Sequence, residues 1–196
     1  MSSLPRQIGV AVRATLLLTL VLGIAYPVAV TVIGQVALPA TANGSRLVDA
    51  DGRVVGSALI AQSFADAAGE PIAGYFQPRP SAVDHAGATS GGSNLGPENP
   101  DLVQEIEKRR SAVAEFNGVA VTDVPADAVT ASSSGLDPHI SLAYAELQVP
   151  RVAAARGMDE AAVASLVAAH GSGSGYLSGR IVNVVELNLA LDRQEG

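Results

Sequence analysis

Twenty consecutive residues without a charge, "ATLLLTLVLGIAYPVAVTVI" from Ala14 to Ile33, limit this chain more than any other stretch. At about 1.5 Å per residue they make a helix of roughly 30 Å, the thickness of a bilayer's hydrocarbon core. The five Leu, two Ile and four Val together favour insertion by roughly −3 to −7 kcal/mol. Nothing polar interrupts any face, which argues against the core helix of a soluble protein. Pro27 predicts a kink and a freed carbonyl, which in lipid is most easily met by a neighbouring helix. Tyr26, Pro27 and Gly34 are therefore candidate helix-packing residues. A cleaved signal peptide shares the basic start, and "ATA" at Ala40 to Ala42 fits the outline of a cleavage site. Signal-peptide apolar regions run about 7 to 15 residues, whereas this one is longer and continues past a proline. The sequence thus predicts an uncleaved transmembrane helix over residues 14–36.

Charge sets its direction. Up to residue 42 the only charged side chains are Arg6 and Arg13, which leaves 10 basic and all 19 acidic residues, a net of −9, to the remainder. The positive-inside rule places residues 1–13 in the cytoplasm and residues 37–196 outside, in a cell membrane protein of one span. The acidic balance excludes a nucleic-acid binder. With no cysteine, disulfides, iron–sulfur clusters and thiolate zinc sites are excluded as well.

Beyond the anchor the pattern predicts an α+β domain, a small antiparallel sheet with several helices. Asp51-Gly52 between Leu47-Val48 and Val54-Val55 reads as a hairpin turn. Asp49 and Asp51 begin a calcium-loop pattern, but its later ligands are missing. From Ala67 to Pro100 the chain is dense in Gly, Pro, Ser and Asn, and a run this long is either mobile or functional. Asn99 and Pro100 then open a helix closed by Asn117-Gly118, with Leu102, Ile106, Val113 and Phe116 on one face and "EIEKRR" on a solvated one. Ser141 caps a short helix through Leu147, and Pro150 opens another turn that Gly157 ends. Asp159 and Gly171 bound a helix from Glu160 to His170. "GSGSGYLSG" is a flexible connector. "RIVNVVELNLALD" alternates as a strand with one wet face would, although Asn183 with Glu186 offers a helix cap instead.

Two loops invite a chemical reading. "SGGSNLGPENP", Ser90 to Pro100, has the glycines of an anion-wrapping loop. Its nearest P-loop alignment puts Ser93 where the lysine belongs, and "GGSNL" ends in Leu95, so neither a Walker A motif nor a nucleophile elbow is present. In "VTASSSGLDPHIS", Ser134, Asp137 and His139 are triad residue types, yet they crowd along one loop, unlike residues assembled in space. His85, His139 and His170 lack the spacing of metal ligands. The residues describe a tethered domain with a binding or subunit role, without catalytic, metal or cofactor residues.

Seven stretches in order, "AYPVAVTVIGQ", "VVGSALIAQSF", "YFQPRPSA", "SGGSNLGPENP", "VTASSSGLDPHIS", "QVPRVAAARG" and "VNVVELNLALD", together resemble the C subunit of the bacterial high-affinity potassium-transporting P-type ATPase, the Kdp complex. Gln77-Pro78 departs from the family's usual glycine before "RPSA". The resemblance implies an accessory subunit that works with a channel-like potassium-binding subunit, a P-type ATPase subunit and a small membrane peptide. Potassium would be bound by those partners. The resemblance further implies a catalytic chaperone that raises ATP affinity, with the glycine-rich loops and a glutamine contacting nucleotide. The orientation opposes direct contact, because an outer domain meets no ATP pool. The sequence instead predicts a cap over the channel-like subunit, with Tyr75, Phe76, Arg79, Ser90, Gly91, Gly92, Ser93, Asn94, Asp137, His139 and Arg151 as partner-binding residues.

Overall fold

The computed structural model describes residues 3–173 and 179–194 and divides into two compact units, Met1–Ser45 and Arg46–Gly196. In the first, α1 (Ser3–Leu20), a π-helical turn (Val21–Ala25) and α2 (Tyr26–Ala37) form one apolar helix of 35 residues. It starts well before Ala14. Nothing in "SLPRQIGVAVR" breaks a helix, since Pro5 falls in the first turn, where no N–H is missed. At about 1.5 Å per residue the helix outreaches a bilayer core, which leaves room for Arg6 and Arg13 beyond the apolar layer.

Pro27 follows directly on the π turn, in which the Tyr26 N–H reaches back to the Val21 carbonyl. In α register the proline ring would meet the Gly23 carbonyl, and the wider turn is how the helix continues through it. A second short helix, α3 (Pro39–Ala42), follows. Here "ATA" is part of a helical turn, tied down by Asn43 Nδ2 donating to Gln35 Oε1 at 3.1 Å.

The second unit opens with the expected hairpin. β1 (Arg46–Val48) and β2 (Val54–Ser57) run antiparallel, with Val48 opposite Val54. Gly52 takes φ +79°, as the turn demands. Asp49 Oδ1 accepts the N–H groups of Asp51 and Arg53 at 3.0 and 2.8 Å. The Arg53 amide leads the causes that hold the Asp49 carboxyl below its usual range. The aspartates therefore close a turn.

α4 (Pro100–Asn117) has the predicted ends: the Asn99 side chain accepts from the Asp101 N–H at 2.9 Å, and Gly118 adopts φ +67°. Its charged stretch is not uniformly solvated. Arg109 is half-buried and donates to the Val129 carbonyl at 3.3 Å. Ser141 caps a single helix, α5 (Leu142–Arg156), rather than a short one with a break. Pro150 is exposed within it, and so is Glu146, whose carbonyl loses its helical donor. An exposed carbonyl is open to solvent, so the proline costs little and the helix runs on to Gly157. α6 (Glu160–His170) starts at the Asp159 cap as expected.

Three short strands, β3 (His139–Ser141), β4 (Gly171–Ser172) and β5 (Ile181–Asn183), make an antiparallel sheet in the order β3-β5-β4. Of the connector, residues 174–178 lie outside the described residues. The strand expected over 181–192 stops at Asn183 and becomes α7 (Val184–Asp192). Asn183 Oδ1 accepts from the Val185 and Glu186 amides at 3.1 and 3.2 Å, which is the capping alternative. Val184, Leu187, Asn188 and Leu191 are buried at helical spacing, while Leu189 is only partly so. A period of two had matched a period of 3.6 over too few residues to separate them. The core joins α5, α6, α7 and β5 through Val152, Val163, Val182, Leu187 and Leu191 and takes in Phe76 and Ile140. The class is α+β, as expected.

Candidate functional site

The Gly- and Pro-rich run contains no helix or strand from Ala58 to Asn99, yet side chains hold it in place. Its centre is the strap "YFQPRPSA". The Phe76 N–H donates to Asn188 Oδ1 and its carbonyl accepts from Asn188 Nδ2, both at 2.9 Å. One residue on, the Gln77 N–H donates to Gln148 Oε1 at 2.7 Å and its carbonyl accepts from Gln148 Nε2 at 3.2 Å. Two primary amides, from α7 and α5, thus act as the neighbouring strands this segment lacks. Gln77 Nε2 in turn reaches the Phe64 carbonyl at 3.1 Å.

Cations continue the brace. Arg151 donates to Tyr75 O at 3.0 Å, Gln148 Oε1 at 2.7 Å and Asn117 Oδ1 at 2.9 Å, and also to the Ala73 carbonyl. Its guanidinium lies 4.4 Å from the centre of the Phe116 ring. Burial lowers its pKa to about 10, so it stays charged at neutral pH. Arg156 lies 4.6 Å from the Tyr75 ring centre, pairs with Asp192 at 2.8 Å and binds the Gly74 carbonyl. Burial, then Asp192, raises the Tyr75 pKa.

The strap leads into the two Ser/Gly loops, which pack on each other. The Gly91 N–H donates to the Ser134 carbonyl at 2.9 Å, and Ser90 Oγ donates to the same carbonyl at 3.1 Å. A Cβ on Gly92 would stand 3.0 Å from the Ser133 carbonyl oxygen. Arg79 pairs with Asp137 at 3.2 Å and binds the Thr130 carbonyl, while Ser81 Oγ donates to the Gly135 carbonyl at 2.8 Å.

The site residues named from sequence therefore divide. Phe76 is completely buried and belongs to the core. Arg79, Asp137 and Arg151 are occupied by internal ion pairs and carbonyls, and His139 Nδ1 lies 3.3 Å from Asp137 Oδ1. Tyr75, Gly91 and Gly92 are half-buried, whereas Ser90, Ser93 and Asn94 are exposed, Asn94 with φ +55°. In the first unit Tyr26 and Pro27 are exposed, but Gly34 packs on Ala42 of its own chain.

Catalytic geometry does not assemble. Ser134 Oγ lies 3.1 Å from Ser132 Oγ and accepts from the Leu136 N–H. Among the described residues no hydrogen bond joins it to His139, and no cluster of His, Asp and Glu fits a metal ion. Of the loop amides, those of Gly91, Gly135 and Leu136 already have acceptors.

This arrangement fits a subunit, and the relatives of the chain are subunits. The KdpC family, described as K+-transporting ATPase, c chain, matches residues 8–193. The chain belongs to this family. It is 49% identical over 195 residues to the Potassium-transporting ATPase KdpC subunit of Kineococcus radiotolerans, covering 97% of this chain and 95% of that one. Proteins of the same name from Geobacter metallireducens and Mycobacterium tuberculosis are 47% and 46% identical, over 93% and 96% of this chain and 95% and 98% of their own lengths. The chain is thus a non-catalytic accessory subunit of a potassium-transporting P-type ATPase, alongside a channel subunit and an ATPase subunit. One N-terminal span holds it in the membrane with the α+β domain on the extracytoplasmic side.

Sequence reading missed Gln148, Asn188 and Arg156. The available signal was an amide on an otherwise apolar helix face, Gln148 beside Val149 and Asn188 beside Leu187. A buried amide without a function of its own must satisfy something.

Tyr144 carries a pH prediction. Burial raises its phenol from 10.0 to about 12. Below about pH 10 the phenol is neutral in both the folded and unfolded chain. Between pH 10 and 12 only the unfolded chain ionises, so stability falls as pH rises through that window. Tyr144→Phe should lose up to about 3 kcal/mol less than the parent over the same range, read from denaturation at each pH.

Proposed function

We propose that the outer domain caps the extracytoplasmic entrance of the channel-like subunit, and that the paired Ser/Gly loops are its docking edge. The observation that carries this reading is the mutual bracing of the loops. Bonds from Ser90 and Gly91 to the Ser134 carbonyl fix their backbone, while Ser93, Asn94 and Ser133 face solvent. An edge fixed in advance loses little conformational freedom on docking. Tyr26 and Pro27, exposed on the long helix, supply the membrane contacts to the ATPase subunit, the small peptide and the surrounding lipid. The alternative, direct nucleotide contact by these loops, would require them to face the cytoplasm, which the charge asymmetry opposes. Any influence on ATP affinity travels through the span as a coupling of about 1–3 kcal/mol.

Ser133→Cys tests the reading, because the chain has no cysteine of its own and Ser133 is exposed. A membrane-impermeant maleimide added to intact cells should label this position when the subunit is made alone. Labelling should drop when the whole pump is made. Labelling only after lysis would support nucleotide contact, and equal labelling with and without the partners would remove the docking role.

A further inference from the structure

A cavity of about 510 Å³ opens between the strap and α4, within the size range of small-molecule sites, about 300–1,000 Å³. Pro71, Pro78 and Pro80 line it from the strap side, Val113 and Phe116 from α4. Several of its polar groups have hydrogen-bonding capacity to spare, among them the buried Arg79 Nε, Tyr144 and Arg109. Tyr144 lines the cavity with only 3% of its surface exposed. Its hydroxyl bonds to nothing among the described residues and is not sealed from solvent. Arg109 also lines the cavity. Its Nη1 holds the Val129 carbonyl and its Nε pairs with Glu105 at 3.1 Å, while Nη2 has no partner among the described residues.

We propose that this cavity binds a compact aromatic carboxylate, with the ring against the prolines and Phe116 and the carboxylate accepting from the Tyr144 hydroxyl and Arg109 Nη2. The walls select the body, since proline rings and a phenyl group offer flat apolar surface to a planar ring. The head follows from the donors: a guanidinium and a phenol that keeps its proton both require an acceptor, and guanidinium suits carboxylate best. Asp84 at the rim and Glu105 beside Arg109 oppose a second negative charge, so a monoanion fits and a polyphosphate does not. The cavity shares Arg79 and Ser81 with the bracing of the loops, but the proposal does not depend on the cap reading.

The test is a ¹⁹F NMR titration of 4-fluorobenzoate into the full-length chain in detergent, with empty micelles as reference. Saturable binding is expected in the parent chain. Tyr144→Phe deletes a hydroxyl that no residue uses and should weaken binding about tenfold. Ala112 is exposed on α4 and lines the cavity; Ala112→Phe should fill the space and abolish binding. Circular dichroism confirms that both variants are folded. Absence of saturable binding to the parent, or equal affinities for the parent and either variant, would overturn the proposal.

Discussion

Gln148→Leu is expected to destabilise the outer domain by about 3–5 kcal/mol, although leucine is apolar and near in size. Gln148 is wholly buried, and three groups depend on it: the Gln77 N–H, the Gln77 carbonyl and Arg151 Nη2. Leucine leaves all three, each part-buried, without that partner, and each orphaned group costs about 1–3 kcal/mol. The gain from burying a leucine is smaller than that sum. Denaturant titration of the full-length chain, followed by circular dichroism, reads the shift. Limited proteolysis should show new cleavage between Ile72 and Ser81, because the strap loses one of its two amide clamps. A loss under 1 kcal/mol would mean that the strap is held by something other than this side chain. Gln148→Glu separates geometry from charge: it keeps an acceptor for the Gln77 N–H and for Arg151 but removes the donor to the Gln77 carbonyl. Its loss should therefore be the smaller.

Gly135→Ala should separate the two Ser/Gly loops and, with them, the subunit from its pump. Gly135 has φ +70°, and an added Cβ would lie 2.5 Å from Val83 Cγ2, 2.9 Å from the Gly91 carbonyl and 3.0 Å from Ser81 Oγ. The left-handed backbone costs about 1–2 kcal/mol for alanine, and the overlap adds about 1–3 kcal/mol more. Relief comes only if Val83 and the Gly91 backbone move away, which breaks the Gly91–Ser134 bond. The measurement is co-purification of the ATPase subunit with the variant, alongside denaturation of the variant alone. Gly157→Ala is the internal comparison. Gly157 has φ +64°, but nothing stands within 4 Å of its absent Cβ. It should show the backbone penalty without loss of assembly. If Gly135→Ala assembles as well as Gly157→Ala, the joined loops are not the docking edge.

How much of this was legible in the sequence depended on range. Asn99, Ser141 and Asp159 announced their helices because a cap acts within three residues, and Asp51-Gly52 announced a hairpin for the same reason. The long apolar helix was visible because lipid imposes length and composition together, although its start was not, since nothing breaks a helix before Ala14. Residues 184–192 misled because apolar residues at alternate positions also supplied i, i+3 and i+7 contacts, and only burial decided between the two periods. Arg79 and Arg151 are read from sequence as interface residues because arginine is favoured there. They also brace their own domain, through partners up to 78 residues away. No local pattern encodes a partnership at that distance.

The amide clamp on the strap also sets a timetable for biogenesis. Phe76 emerges on the outer side of the membrane 112 residues before Asn188, the side chain that completes its bonding. Until α7 has crossed the bilayer, the strap and the loops beyond it can find only provisional partners. Nascent chains of this subunit should therefore remain open to envelope proteases throughout export, and resistance should arrive late and in a single step.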